Sequence, residues 1–348
     1  MLDKSFRELR PANSEKKDER KKYMKTVTKF ISAAFAAVTL AMGTPTANAF
    51  RGDIFASING MTGVNGVGSI FDYTPVGVQY TFASGLDRSR GIAFDGQANL
   101  FVATNFFDGT FRATILKITP LGVQSIFGTL SGNLSAEGMA IDHSDNVFVV
   151  AIDETSPTLD STIVKFTPSG VQSPFGDAGD QAFGLAFDSA GNLFSAATGD
   201  PAGGSQTIFK FTPDGTQSIF VGPSAFGPLQ GPTGLTFDRS GNLFVSTESG
   251  GQEPDAILKF TPDGVESTFA TGLKFPRGVA FDSGGNLFVA EIIQDAPGDI
   301  LKFTPDGNRT VFASGIGVGG NSGPEFLVIQ PARPPTPRHR PTPAPRPR

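Results

Sequence analysis

Between residues 52 and 330 the apolar positions come in short bursts that end at Gly, Pro or Asp. Residues 234–237 (Gly-Leu-Thr-Phe), 242–246 (Asn-Leu-Phe-Val-Ser), 256–260 (Ala-Ile-Leu-Lys-Phe) and 265–270 (Val-Glu-Ser-Thr-Phe-Ala) show the pattern. Alternating, β-branched and aromatic residues between turn formers predict strands. These four pieces, named a, b, c and d from the inside outwards, form one unit that recurs along the chain.

Recurrence is clearest at the c–d turn. It reads Tyr73-Thr74-Pro75-Val76-Gly77, Lys117-Ile118-Thr119-Pro120-Leu121-Gly122 and Lys165-Phe166-Thr167-Pro168-Ser169-Gly170. Three near-identical copies follow: Lys210-Phe211-Thr212-Pro213-Asp214-Gly215, Lys259-Phe260-Thr261-Pro262-Asp263-Gly264 and Lys302-Phe303-Thr304-Pro305-Asp306-Gly307. The prolines are 45, 48, 45, 49 and 43 residues apart. A period in the forties built from short strands predicts a β-propeller with one blade per repeat. Pro at i+1 and Gly at i+3 suit a type I turn.

The a–b turn repeats as Asp188-Ser189-Ala190-Gly191-Asn192, Asp238-Arg239-Ser240-Gly241-Asn242 and Asp282-Ser283-Gly284-Gly285-Asn286, with weaker copies from Asp95 and Asp142. Its Asp can accept backbone N–H bonds and its Gly supplies a left-handed residue. The turn lacks the dense oxygen donors of a calcium loop, so it reads as a hairpin. Recurring Phe residues (Phe94, Phe187, Phe237 and Phe281 in a; Phe101, Phe148, Phe194, Phe244 and Phe288 in b) read as packing between blades.

The first repeat lacks strand a and starts at strand b, residues 53–57; a lone apolar strand at 326–330 supplies the missing piece. The expected fold is all-β: a six-bladed β-propeller of four-stranded blades. Its ring is closed by a C-terminal inner strand joined to the N-terminal b, c and d strands, which removes an exposed edge.

Outside the repeats, Met24 with Lys25 and Lys29 precedes an apolar run at 30–42, then Ala47-Asn48-Ala49. This is the layout of a signal peptide over 24–49, with Phe50 as the mature N-terminus and no transmembrane segment left in the mature chain. Residues 1–23 read as an over-called extension upstream of Met24. Export to a bacterial periplasm, the cell surface or the medium is the expectation. The chain has no Cys, so an oxidising compartment gives it no disulfides, and about 280 residues suffice to bury a core. Residues 50–330 carry 13 Lys and Arg against 28 Asp and Glu, a net charge of −15, which argues against nucleic acid as a partner. The segment 331–348, with eight Pro, five Arg and no acid, is expected to be a disordered tail. The body is expected to be monomeric.

The pattern Gly-Leu-Ala-Phe-Asp, Gly-Asn-Leu-Phe-Val-Ala and Ile-x-Lys-Phe-Thr-Pro-Asp-Gly over residues 52–330 resembles the NHL-repeat propellers and the related senescence-marker-protein/gluconolactonase group. The resemblance specifies the architecture and leaves open lactonases, lyases and pure binding modules.

The a–b and c–d turns share one face and hardly vary, whereas the d–a and b–c connections share the other and differ in every blade. Divergent loops on rigid strands are where a site is expected. Several of these loops are acidic, with Asp153, Glu154 and Asp160 in one of them. The residues opening strand a, at the channel mouth, are Arg90, Glu137, Phe183, Thr233, Arg277 and Glu325; the candidate binding residues are Arg90, Glu137, Thr233, Arg277, Glu325, Asn105, Glu248 and Glu291, with Phe183 standing where a metal ligand would be wanted. The resemblance implies a Glu, Asn and Asp set holding a divalent metal here. Only Glu137 matches, so a metal-assisted lactonase is disfavoured, no cofactor is expected, and a divalent cation is a minor alternative. Arg277, Glu325, Arg90 and Glu137 fall in consecutive blades and are expected to form alternating ion pairs. His143 lies on the wrong face and His339 in the tail, which removes a His acid/base pair or a Ser-His-Asp arrangement. Glu248 and Glu291, at adjacent strand-b ends, are the remaining possible carboxylate pair. Arg51-Gly52-Asp53 resembles an adhesion tripeptide but should start a strand. The function expected is binding of a small molecule, glycan or protein through the variable face, with a lactonase or lyase as the alternative.

Overall fold

The computed structural model describes residues 52–59, 67–199, 206–226, 231–249, 255–317 and 323–331. The segments expected to be a signal peptide (24–49), an upstream extension (1–23) and, beyond Pro331, a tail lie outside them. Among the described residues there is no α-helix, only a 3₁₀ turn at Pro223–Ala225, and no helix is long and apolar enough to cross a membrane.

Strand pairing yields six four-stranded antiparallel blades. Blade 2 runs Ser89–Phe94, Leu100–Phe107, Phe111–Ile118 and Gln124–Thr129; blade 3 runs Leu134–Ile141, Val147–Asp153, Asp160–Phe166 and Gln172–Asp180. A single bridge, Arg112 with Leu134, links these two blades into one eight-stranded sheet. Blade 4 (Ala182–Phe187 to Gln217–Val221), blade 5 (Gly231–Phe237 to Glu266–Leu273) and blade 6 (Pro276–Phe281 to Arg309–Ile316) are separate sheets. Blade 1 is composite: Pro324–Ile329 is its inner strand, followed by Ile54–Ile58, Val67–Tyr73 and Gln79–Asp87. The register pairs Ile54 with Ile329 and Ala56 with Leu327, and Gln330 N donates to Asp53 O at 2.9 Å. Each inner strand contacts the next, and Pro324–Ile329 touches both Pro276–Phe281 and Ser89–Phe94, so the ring closes as expected.

The conserved chemistry of the repeat explains the blades. In each c–d turn the glycine N–H donates to the threonine carbonyl at 2.8 Å, as from Gly77 to Thr74, and the glycine φ is positive, between 78° and 89°. In each a–b turn one Asp oxygen accepts two backbone N–H bonds and the other takes the Asn side chain. Asp238, for example, accepts from Ser240 N, Asn242 N and Asn242 Nδ2 at 2.7–2.8 Å. Three of the carboxylate's acceptor sites are thereby used within the hairpin itself. Phe rings interlock the blades edge-to-face: Phe148 of blade 3 meets Phe187 of blade 4 at 5.2 Å, and Phe244 of blade 5 meets Phe281 of blade 6 at 4.9 Å. Such pairs add about 0.5–1.5 kcal/mol each beyond the area they bury.

In five blades a Lys lies over the strand-b ring opposite it, with Lys117, Lys165, Lys210, Lys259 and Lys302 at 5.1–5.5 Å from the centroids. The composite blade breaks this rule. Asp72 stands opposite Phe55 where the others have Lys, and Asp53 and Gln330 stand where the others have Asn and Asp. Burial, with the Asp53 charge adding to it, pushes the Asp72 carboxyl up to about 7.

Candidate functional site

The six residues expected at the channel mouth lie where each inner strand bulges at the same place. The ladder to strand b skips between Ser89 and Ile92, Ala136 and Met139, Ala182 and Leu185, Pro232 and Leu235, and Pro276 and Val279. In the composite blade it skips Glu325, with Ser57 opposite Phe326 and Ile58 opposite Pro324. A bulge re-aims its side chain out of the in-and-out alternation. The residues so displaced include Arg90, Glu137, Phe183, Thr233, Arg277 and Glu325, the set expected from the sequence.

Five of them are followed by Gly, and the reason is steric. A Cβ on Gly91 would stand 2.3 Å from Glu137 O, on Gly138 1.9 Å from Phe183 O, on Gly184 2.3 Å from Thr233 O, and on Gly234 2.2 Å from Arg277 O. Neighbouring inner strands thus approach through backbone alone. The sixth position, Phe326, carries a side chain at the ring closure.

The charges at the mouth form two groups. Arg90 Nε lies 3.4 Å from Glu137 Oε1, and its Nη1 lies 3.2 Å from Glu325 Oε1. Asn59 Nδ2 reaches the same Glu325 oxygen at 3.5 Å. Arg277 takes a different partner from the one expected. Its Nη2 bonds Glu248, at 3.0 Å from Oε2 and 3.3 Å from Oε1, while its guanidinium carbon sits 5.1 Å from the Phe183 ring centroid. The alternating ring of ion pairs is therefore corrected: Glu325–Arg90–Glu137 form a triad, and Arg277 turns to the strand-b end of the preceding blade, where Glu248 has the reach.

Burial dominates the electrostatics. Glu137 is 5% exposed, and desolvation pushes its carboxyl up to about 7; Glu325 and Glu154 push the same way, and Arg90 and Arg277 oppose. Its Oε2 is buried with no hydrogen-bond partner, as is Asn59 Oδ1. Burial also raises Glu248, helped by Asp255 and Glu325 and opposed by Arg277. Burial works against the Arg90 charge, but Glu137, Glu325 and Glu154 outweigh it and hold the guanidinium above its ordinary range. Glu154, on the Ser135 hydroxyl at 2.6 Å, belongs to this field through its coupling to Glu137.

Three candidates are spent on the scaffold. Thr233 Oγ1 donates towards Pro276 O at 3.0 Å and meets Ser246 Oγ at 2.9 Å, so its hydroxyl stitches blade 5 to blade 6. Asn105 clips blade 2 to blade 3, donating to Ala136 O and accepting from Ala136 N, both at 2.8 Å. Glu291 accepts from Lys274 N at 2.8 Å and faces Arg309 at 3.7 Å. Its charge is coupled to Arg309, Asp299 and Lys274. Asp53 is 2% exposed, which withdraws the adhesion tripeptide, and His143 is exposed in its turn. No group of three His, Cys, Asp or Glu able to hold a metal exists among the described residues. A cavity of about 480 Å³ opens instead on the invariant face between blades 5 and 6, walled by Phe237, Phe244, Phe281 and Lys259. Its Asp238 and Asp282 are already bound by their own turns.

No protein-family model and no curated protein matches the chain. Solved structures do. A periplasmic gluconolactonase from Pseudomonas aeruginosa superposes with a TM-score of 0.55 at 14% identity, covering 81% of this chain and all of its own. A catalytically inactive virginiamycin B lyase from Staphylococcus aureus, solved with quinupristin, gives 0.52 at 13%, covering 79% and 96%. A calcium-binding regucalcin from Agrobacterium tumefaciens gives 0.51 at 12%, covering 70% and 84%. The fold is that of the gluconolactonase-like propellers.

Proposed function

We propose that the chain is an exported propeller that binds a small polar ligand or a glycan at the channel mouth. The observation that carries this reading is the buried, unpartnered Oε2 of Glu137, beside the equally unpartnered Nε of Arg90 and of Arg277. A buried acceptor without a partner costs roughly 1–3 kcal/mol, and a ligand that supplies a donor recovers it. The leader-like segment and the periplasmic location of one structural neighbour support export. The acidic body disfavours nucleic acid as the partner. Titration of the folded protein with sugars, sugar acids, lactones and amines, followed by NMR, tests the reading. Shifts should centre on Arg90, Glu137 and Phe183; shifts confined to the opposite face would overturn it.

A second reading, a lactonase- or lyase-like enzyme, is favoured by one feature. A carboxyl near 7 offers both acid and base forms at neutral pH, which suits general acid–base catalysis. Hydrolysis of lactones above the uncatalysed rate, abolished in Glu137→Gln, would establish it. The neighbours supply the fold for either reading and do not choose between them.

A further inference from the structure

We propose that the channel mouth takes an organic cation, a ligand with a primary ammonium group flanked by neutral oxygen, and that Glu137 Oε2 accepts its hydrogen bond. This rests on the mouth being a ligand site.

The balance of charge comes first. Five carboxylates, Glu137, Glu154, Glu248, Asp255 and Glu325, are coupled in this field against two guanidinium groups, Arg90 and Arg277. Both cations are already committed. Arg90 spans Glu137 and Glu325, and Arg277 is held by Glu248 with the face of Phe183 against it. An anionic ligand would meet excess carboxylate and no uncommitted cation among these groups. An ammonium reduces the excess.

The second argument is the inventory of open bonds. The acceptors left buried without a partner at the mouth are Glu137 Oε2 and Asn59 Oδ1; the donors are Arg90 Nε and Arg277 Nε. An ammonium has donors for the first two, and a hydroxyl or carbonyl next to it answers the donors. A hard divalent ion requires six or so oxygens at short range. Here Arg90 already holds one Glu137 oxygen and one of Glu325, and Arg277 bonds both oxygens of Glu248.

The test uses three probes of similar length that differ in charge: 4-amino-1-butanol, 1,4-butanediol and 4-hydroxybutyrate, with calcium chloride as a fourth. NMR titration at pH 8 should give binding of the amine at least tenfold tighter than of the diol, with the carboxylate weakest. Glu137→Gln should weaken the amine about tenfold or more and weaken the diol clearly less. A measurement on the unaltered protein stands beside it. The amine stays charged throughout, so its affinity should rise from pH 6 to pH 8 as Glu137 loses its proton. Arg90, Arg277, Glu154 and Glu325 are the other charged groups facing Glu137. Equal or tighter binding of the diol, the carboxylate or calcium at the mouth overturns this inference and leaves the ligand site standing. No binding at the mouth by any probe, sugar or lactone overturns both.

Discussion

Arg90 Nη1 stands 3.2 Å from Glu325 Oε1, so a guanidinium of blade 2 holds a carboxylate of the strand that closes the ring. The same guanidinium holds Glu137 of blade 3. Removing it leaves two buried carboxylates without their counter-charge. Arg90→Met is expected to cost about 2–4 kcal/mol at pH 8 in urea denaturation. The loss should shrink near pH 5, because Glu137, whose carboxyl is raised to about 7, is then protonated. An equal loss at both values would show that packing of the side chain, not its charge, is what matters.

Glu137 sets a stability cost that depends on pH. Its carboxyl is raised from 4.5 to about 7 in the folded protein, so the folded state holds an extra proton between those values. Stability therefore falls as pH rises through this window, and the penalty is complete above about 7. Glu137→Gln should be more stable than the natural protein by about 1–3 kcal/mol at pH 8 and no more stable near pH 4.5. Thermal melts across pH 4.5–8.5 read this directly. A stabilising loss of a polar side chain would mark Glu137 as a residue kept for something other than folding.

Asp72 gives a second, independent window at the ring closure. Its carboxyl is raised from 3.8 to about 7, first by burial and then by Asp53. The sign is the same: the penalty is absent near pH 4, grows to about pH 7 and stays above it. Asp72→Asn should add about 1–2 kcal/mol at pH 8, a figure reduced for the part of the group that water reaches. Combined with Glu137→Gln the gains should add, since the two groups occupy different faces.

The inner glycines predict a steric failure. Gly138→Ala would drive a Cβ to 1.9 Å from Phe183 O, a backbone atom with no freedom to rotate away. A cost of about 3 kcal/mol or more is expected. Gly222→Ala is the control: its nearest neighbour is a side-chain carbon at 4.0 Å, and its effect should stay within about 0.5 kcal/mol. Comparable losses in the two variants would disprove the close-approach argument.

The blades were legible in the sequence because their signals are local. A Thr-Pro turn, an Asp-to-Asn hairpin and a two-residue alternation each act within one unit, so repeats such as Lys259-Phe260-Thr261-Pro262 state the register outright. The mouth residues could be located for a related reason: each of the first five precedes the Gly that the inner bulge demands. Their partners could not be. Arg277 chooses Glu248 over Glu325 by side-chain reach between blades, and the sequence carries no local trace of that distance. The roles of Thr233, Asn105 and Glu291 were hidden likewise, since a hydroxyl or amide facing a channel and one bonded across a blade interface read alike. Glu154 showed only as one acid in a varied loop, and Phe183, read as a gap in a metal set, turned out to be the surface on which Arg277 lies.

Pairing Ile54 with Ile329 has a consequence in time. Blades 2 to 6 are each built from one continuous stretch, and each can assemble as it emerges from the ribosome. Residues 54–58 must wait for partners nearly the whole body away in sequence, a contact of high order whose loop closes late. Until it does, both edges of the open ring are available to other chains. Aggregation during synthesis should therefore be set by how quickly the last inner strand is delivered.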